Sequence, residues 1–364
     1  MTVNDIAKVL EELAPLAHAE SFDNIGLLVG SPTMEVTGTL VTLDTLENVV
    51  DEAIEKNCNL IVSFHPIIFK GLKKLTGSNY VERVVIKAIA NNIAIYSMHT
   101  ALDNSKIGVN AKICEILGLQ NPQIMIPKAD TLKKLTTYVP LADADKVKEA
   151  LFTAGAGEIG NYSHCSYSLE GVGSFKPEEG ANPNLGTVGE VHNEKEAQIN
   201  VVFSFEKEKQ ILKALIETHP YEEVAYEIFT MENSNKNIGM GMMGTLPTEM
   251  DETEFLHRVK NRMNASVVRH SKLLNKKVKK VAVLGGSGAF AIGAAKKAGA
   301  DIFVTSDIKY HEFYQAENQL VIADIGHFET EQFTKDLLVD YLTKKIPNFA
   351  VSLSESITNP IKYL

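Results

Sequence analysis

Short apolar runs alternate with amphipathic helical patterns in the first third of the chain, and this alternation constrains the fold more than any other feature. The runs Thr39–Leu43, Leu60–Phe64 and Ile93–Met98 have the length and apolar content of buried strands. A helical pattern follows each of them, and the last one reaches about Leu117. Strands that alternate with helices usually pair in the same direction, so the sequence predicts an α/β fold with a parallel or mixed sheet.

Side chains that commonly bind metals follow these strands. His65 and His99 stand directly after two of the apolar runs, Asp103 lies just beyond His99, and His327 and Glu331 follow a later apolar run. Ligands of such sheets bind beyond the carboxyl ends of the strands, so we expect these five residues at one sheet edge. Each histidine taken singly also fits a hydrogen-bonded loop residue. Their coincidence at strand ends favours a site for a divalent cation.

Two pairs of residues are spaced four apart at predicted helix starts. His327 and Glu331 would place their Cβ atoms about 6 Å apart on one helix face. An imidazole and a carboxylate so placed can share one cation or bridge two, although a capping histidine beside a solvated glutamate is the alternative. Asp307 and His311 have the same spacing. They can orient metal ligands or act as general acid and base, or they can be an N-cap and a surface histidine.

The middle of the chain has a different order of elements. Six predicted segments between residues 128 and 244 follow the order β-α-β-β-α-β, which is typical of a ferredoxin-like α+β domain. The polar and then glycine- and methionine-rich stretch 234–244 is interpreted as its exit linker. The sequence therefore predicts one discontinuous α/β domain, residues 1–127 and 245–364, that carries an inserted domain at 128–244.

Composition and net charge argue against several classes of protein. The 364-residue chain has a formal net charge of −10, which argues against general nucleic-acid binding because phosphate neutralisation needs a basic face. Its three cysteines are scattered and lack CxxC spacing, which fits a reducing cytoplasm better than a disulfide scaffold. We expect neither a signal peptide nor a membrane span, since no apolar stretch approaches about 18 residues.

The glycine-rich stretch Gly285–Gly288 is predicted to join a strand to a helix. Backbone N–H groups in such a turn can bind a phosphate, but the pattern matches neither a dinucleotide fingerprint nor a P-loop. A closely packed turn is the alternative. No Gly-x-Ser-x-Gly motif is present, so the sequence gives no support to covalent acyl chemistry.

Two sets of motifs carry a family resemblance. Those of the main domain are Ser21–Gly30, Phe64-His65-Pro66, His99-Thr100-Ala101-Leu102-Asp103, Thr305-Ser306-Asp307 with His311, Gly326-His327 with Glu331, and Thr358-Asn359-Pro360. Those of the insert are Gly155–Tyr162, Ala181-Asn182-Pro183 and His219–Glu223. Together they resemble the GTP cyclohydrolase I type 2 homologs, also called the Nif three-like dinuclear metal-binding proteins, and the insert is similar to the PII/CutA-like domain of the long forms. The resemblance covers essentially the whole chain.

The resemblance implies a ring-shaped homohexamer whose metal sites face an inner cavity. It implies one metal held by His65 and Asp103, and a second held by His327 and the first histidine of a His-His-Pro motif, with Glu331 bridging the two. In this chain Phe64 stands in place of that first histidine and cannot bind a metal. We therefore expect one well-occupied ion of zinc, iron or manganese, with the second site weak, absent or completed by His99.

The resemblance further implies a metal-dependent hydrolase of the cyclohydrolase or amidohydrolase type, acting in the cytoplasm on a small molecule such as a nucleotide. His99 and His311 are then the candidate catalytic proton carriers, and His65, Asp103, His327 and Glu331 the candidate metal ligands. The alternative is a non-catalytic metal-binding ring scaffold or regulatory protein that senses a ligand through its PII-like insert. The loss of a ligand at Phe64 favours this alternative.

Overall fold

The computed structural model describes all 364 residues, which separate into two compact units. Residues Met1–Pro127 and Lys236–Leu364 form the first unit, and Lys128–Asn235 form the second. Residues 236–244 thus belong to the first unit, whereas the sequence assigned them to the insert. The reason is a strand that begins at Gly239 and pairs with the strand ending at Pro127.

Fifteen strands and eleven α-helices make up the two units, with short 3₁₀ turns between some of them. The strands are β1 (Gly26–Val29), β2 (Thr39–Thr42), β3 (Leu60–Ser63), β4 (Ala94–Ser97), β5 (Gln120–Pro127), β6 (Leu132–Pro140), β7 (Ser166–Phe175), β8 (His192–Ser204), β9 (Tyr226–Met231), β10 (Gly239–Asp251), β11 (Arg269–His270), β12 (Lys277–Ser287), β13 (Ile302–Ser306), β14 (Val321–Asp324) and β15 (Val351–Leu353). The helices are α1 (Val3–Leu13), α2 (Glu47–Glu55), α3 (Tyr80–Ala90), α4 (His99–Asp103), α5 (Val109–Leu117), α6 (Ala144–Thr153), α7 (Glu208–Thr218), α8 (Glu252–Arg262), α9 (Ile292–Lys297), α10 (His327–Glu331) and α11 (Thr334–Lys345). None of the helices combines the length and the apolar character needed to cross a bilayer.

The first unit contains two sheets, where the sequence led us to expect a single sheet edge. One sheet has the order β1-β4-β3-β2-β15, in which β1 alone runs antiparallel to its neighbour. The other has the order β11-β14-β13-β12-β10-β5, with a parallel centre formed by β12, β13 and β14. The fold is therefore a mixed α/β fold with two parallel centres.

One hydrophobic core joins these two sheets. It includes Val62 and Tyr96 from the first sheet and Val283 and Val304 from the second, all nearly or fully inaccessible to solvent. Helices α1, α5, α8 and α11 add their apolar faces to the same core. Burial of this apolar surface holds the carboxyl ends of both parallel centres in fixed positions.

The second unit is one antiparallel sheet with the order β7-β8-β6-β9. The chain passes through it as β6-α6-β7-β8-α7-β9, the order that the sequence predicts. Helices α6 and α7 pack on one face and bury Val147 and Leu215 against Leu135 and Ile199 of the sheet. Its core is thus separate from the core of the first unit.

Three local features differ from the sequence expectations. Strand β5 lies where we expected the boundary between the two domains. The first half of β10 lies where we expected the exit linker of the insert. The predicted helix after His327 is broken into α10 and α11 around Gln332. The stretch Gly285–Gly288 mostly continues β12, and α9 starts only at Ile292.

A buried glutamate ties the end of the chain to α2. The Glu52 carboxylate accepts hydrogen bonds from the Ser354 hydroxyl, the Glu355 amide and both the amide and hydroxyl of Ser356, at 2.7 to 3.1 Å. Lys56 adds an ion pair at 2.8 Å. Burial opposes the charged form, but Lys56 and the hydrogen bonds from the tail outweigh it and lower the pKa of Glu52 to about 2.

We predict that Glu52→Ala destabilises the protein by about 3 kcal/mol at pH 7, because the tail loses several acceptors at once. The lowered pKa means that this stabilisation is present above the unfolded-state pKa near 4.5 and is lost as the pH falls towards 2. Urea unfolding at pH 7 and at pH 3 measures both effects, and the exposed Glu55→Ala on the same helix is the control. Equal stability of the two variants at pH 7 would contradict the role given to Glu52.

Candidate metal centre

Three side chains from the two sheets converge at one point. His65 follows β3 of the first sheet, whereas His327 and Glu331 lie on α10, directly after β14 of the second. The Nε2 atoms of His65 and His327 lie 3.0 and 3.2 Å from the same Glu331 oxygen, Oε2. The ligand atoms of all three residues lie within 4.8 Å of one another. This is the grouping of two imidazoles and a carboxylate that a divalent cation prefers.

Aspartates at two other strand ends fix the orientation of both imidazoles. Asp44, just after β2, pairs with Nδ1 of His65 at 2.8 Å, and Asp307, just after β13, pairs with Nδ1 of His327 at 2.7 Å. The Thr358 hydroxyl in the C-terminal tail donates to the other oxygen of Asp44 at 2.8 Å. Each ring is thereby held with Nε2 towards Glu331, as metal-binding histidines usually are.

His99 has the same kind of partner. Its Nδ1 lies 2.8 Å from Asp23, and its ring centroid lies 5.4 Å from that of His65. Asp23 also accepts from the Thr100 amide at 3.1 Å. Burial raises the pKa of Asp23, but the interactions with His99 and Thr100 outweigh burial and keep this pKa below its usual value. His99 is thus an oriented imidazole beside the cluster and not a member of the three.

The charges of the three central residues depend on each other. Burial would lower the pKa of His65, but Asp44 and Glu331 raise it to about 10. Asp307 and Glu331 similarly overcome burial and raise the pKa of His327 to about 10. The two imidazoles in turn lower the pKa of Glu331 to about 2 against the effect of its burial. The cluster thus favours positive charge beside the Glu331 carboxylate, which a divalent cation would also supply.

Two buried carboxylate oxygens lack a hydrogen-bond partner. Glu331 Oε2 is close to both imidazoles but has hydrogen-bond geometry with neither, and Asp103 Oδ1 has no partner. Burial and the nearby charge of Glu331 raise the pKa of Asp103 well above its usual value. Orphaned buried oxygens are costly, and a cation bound to Glu331 Oε2 would remove that cost at the centre of the cluster. The residues present therefore fit a divalent metal ion.

Phe64 forms an apolar wall of the same site. Its side chain is fully buried, and its ring centroid lies 4.9 Å from that of His65 and 5.5 Å from that of His99. It occupies a position next to the ligands yet has no atom that can bind a metal. The structure thus places an apolar side chain beside His65 and His99.

The glycine-rich stretch Gly285–Gly288 packs closely against Glu331 of the candidate metal centre. Gly286 has φ +69°, and a Cβ atom there would lie 2.4 Å from Glu331 Oε1. The Gly285 amide already donates to Asn110 at 3.0 Å and the Gly286 amide to Thr330 at 2.9 Å. These N–H groups are therefore engaged, and the close approach of Gly286 makes room for the Glu331 carboxylate.

The structure brings together three of the four predicted metal ligands. His65, His327 and Glu331 meet, whereas Asp103 lies outside this group, although its charge interacts with all three. His311 is exposed, and its ring contacts are with Tyr310 and Tyr314 rather than with the cluster.

Two aspartates have roles that were not predicted from the sequence. Asp44 orients His65, and Asp23 orients His99. The signal for Asp44 was its position immediately beyond a strand of the predicted parallel sheet. The signal for Asp23 was its place in the Asp-Asn turn before β1.

Comparison with known proteins gives consistent matches over the full length. The family described as Duf34/NIF3 (NGG1p interacting factor 3) matches residues 1–360. A Bacillus subtilis protein named GTP cyclohydrolase 1 type 2 homolog is 41% identical, covering 99% of this chain and 98% of its own. A relative of the same name from Halalkalibacterium halodurans is 36% identical with the same coverage. The crystal structure of a Bacillus cereus protein related to NIF3 superposes with a TM-score of 0.86 at 37% identity, covering 100% of this chain and 99% of its own.

We predict that Gly286→Ala destabilises the protein by about 2 kcal/mol or more, because the new methyl group meets Glu331 and the backbone has a positive φ. Gly293→Ala is the matched control, since nothing lies within 4 Å of a Cβ atom there and the site is helical. This control should be neutral or stabilise by about 0.5–1 kcal/mol. Urea unfolding measures both variants, and a Gly286→Ala protein as stable as the control would refute the close approach.

Proposed function

Because this chain belongs to the Duf34/NIF3 family, we propose that it is a divalent-metal-dependent hydrolase of the cyclohydrolase or amidohydrolase type. The observation that carries the proposal is the cluster of His65, His327 and Glu331, whose ligand atoms lie within 4.8 Å of one another. Three protein ligands are the number found in most catalytic zinc sites, which keep a further position open for water.

His65 and His327 would hold the ion through Nε2, and Glu331 through its carboxylate. Asp103 is the next donor, since its buried Oδ1 has no other partner. Imidazole and carboxylate donors suit zinc, iron and manganese alike. Phe64 supplies no ligand, which supports one well-held ion and a weak or absent second one.

The bound ion would polarise the substrate and lower the pKa of a coordinated water towards about 7. Asp44 and Asp307 keep both imidazoles oriented through Nδ1. His99, whose ring Asp23 orients, can accept a proton beside the cluster and return it later. We assign the proton-carrier role to His99 in preference to His311, whose ring packs against two exposed tyrosines.

The names of the relatives point to GTP and related nucleotides as the first substrates to test. We also propose that the second unit is a ferredoxin-like module, which its strand order β7-β8-β6-β9 supports. The homohexamer and the cytoplasmic location stay predictions.

A second candidate function is a metal-binding scaffold or regulatory protein without catalysis. The full burial of Phe64 beside His65 and His99 favours it, because one side of the site is apolar and closed to a second ion. This candidate function uses the same metal ligands as the hydrolase. The two differ only in whether a substrate is turned over.

We predict that the full-length protein binds a divalent ion and hydrolyses a GTP-type substrate. His65→Ala should lower the metal content to a small fraction of the wild-type value and the turnover by about 100-fold. Elemental analysis and a hydrolysis assay on the same samples measure the two quantities. The exposed His257→Ala is the control and should change neither.

Metal binding without turnover in the wild-type protein would support the scaffold instead. Unchanged metal content and turnover in His65→Ala would refute the metal centre itself.

We also predict that Phe64→His raises the metal content from about one to about two ions per chain, because it supplies the ligand that this chain lacks. Phe64→Leu keeps the position apolar and should leave the content at the wild-type value. Elemental analysis of the three proteins, with thermal unfolding to confirm that each is folded, gives the comparison. Two full and equivalent ions in the wild-type protein would show that Phe64 does not limit binding.

A further inference from the structure

The second unit contains a cavity that the metal chemistry does not use. Its volume is about 600 Å³, and every lining residue lies between Tyr138 and Ala225. Strand β7 forms one wall from Leu169 to Phe175, and the loop after it, up to Leu185, forms another. This volume lies within the range of about 300–1,000 Å³ typical of small-molecule sites.

Aromatic rings form much of the cavity surface. Tyr138, Phe175 and Tyr221 all line it, and the ring centroids of Phe175 and Tyr221 lie 5.5 Å apart at an interplanar angle of 62°. The Tyr221 amide donates to Nδ1 of His219 at 3.1 Å, and Nε2 of His219 in turn donates to the Tyr138 carbonyl at 2.9 Å. This chain of hydrogen bonds links the two tyrosine segments and holds the aromatic wall in place.

A carboxylate is built into the same cavity. Glu196 on β8 is only 8% exposed, and the Tyr221 hydroxyl donates to its Oε1 at 2.8 Å. The other oxygen, Oε2, occupies space that a side chain at Gly173 would fill, because a Cβ atom there would lie 2.1 Å away. A buried carboxylate held in this way is expensive unless a cation accompanies it.

The charged residues that line the cavity are mostly acidic. Its only basic lining residue is Lys176, which pairs with Glu178 at 3.6 Å. The acidic lining residues are Glu170, Glu178, Glu196, Glu222 and Glu223. Such a surface attracts cations and repels phosphates, so a nucleotide is a poor fit.

We propose that this cavity binds an organic ammonium ion with an aromatic or apolar body. The ammonium group pairs with Glu196, and the body packs against Tyr138, Phe175 and Tyr221. The ring faces add attraction for the cation, and the apolar lining removes the body from water. The site is independent of the metal centre and of the hydrolase proposal.

Calorimetry with the full-length protein tests the proposal by comparing probes of similar shape. The probes are 2-phenylethylamine, the neutral 2-phenylethanol, the anionic phenylacetate, and ATP. We expect the amine to bind at least about tenfold more tightly than the alcohol, a difference of about 1.4 kcal/mol, and the two anions not to bind. Equal binding of amine and alcohol, tighter binding of an anion, or no heat from the amine at millimolar concentration would each overturn the proposal.

Two cavity variants and one control variant test whether the amine binds in this cavity. Glu196→Gln keeps the shape and removes the charge, so the amine should bind at least about tenfold more weakly. Glu217→Gln on α7, outside the cavity, is the charge-matched control and should bind as the wild type does. Phe175→Leu keeps an apolar wall without a ring and should weaken the amine several-fold, which covers the case that Glu196→Gln fails to fold. Wild-type affinity in both cavity variants would refute the assignment.

Amine binding should also be the same in chelator-treated protein. This measurement separates the cavity from the metal centre, because loss of the metal abolishes any hydrolase activity but leaves the second unit intact. Amine affinity that disappears with the metal would contradict a separate site.

Discussion

The central constraint of the molecule is the carboxylate of Glu331, buried between two imidazoles that come from different sheets. His65 reaches it from the first sheet, and His327 reaches it from the helix that carries Glu331 itself. A buried carboxylate needs compensating charge, and the geometry supplies it from both sides. The two sheets must therefore be positioned so that these three side chains meet within a few ångströms of one another.

Carboxylates further out determine the orientation of the imidazoles. Asp44 and Asp307 stand at the ends of β2 and β13, so each sheet contributes the group that turns its own histidine. Thr358 extends this support to the C-terminal tail, which Glu52 fastens to α2. The geometry of the candidate metal centre consequently depends on residues that are far from it in sequence and that a list of the candidate ligands alone would omit.

Sequence patterns predicted the local elements well, because these depend on short-range chemistry. The runs before His65 and His327 are buried parallel strands, and the two histidines stand at their carboxyl ends. The existence of two sheets could not be predicted, since it depends on how distant strands pair. The stretch from Gly239 to Gly244 illustrates the reason: its glycines and methionines lack a strand signature, and its partner β5 lies more than a hundred residues earlier. The spacing of His311 from Asp307 suggested an active-site residue. Spacing alone, however, does not determine the direction in which a short 3₁₀ turn orients the ring.

The charges of the buried residues affect how many metal ions the cluster can hold. Burial disfavours the charged forms of both Glu331 and Asp103, and each has an oxygen without a hydrogen-bond partner. One divalent cation would favour the ionised form of both carboxylates, with the two imidazoles neutral and oriented by their aspartates. A second ion would add two positive charges on the side where Phe64 presents only carbon and hydrogen. The missing ligand at Phe64 is therefore the observation behind the proposal of a single well-held ion.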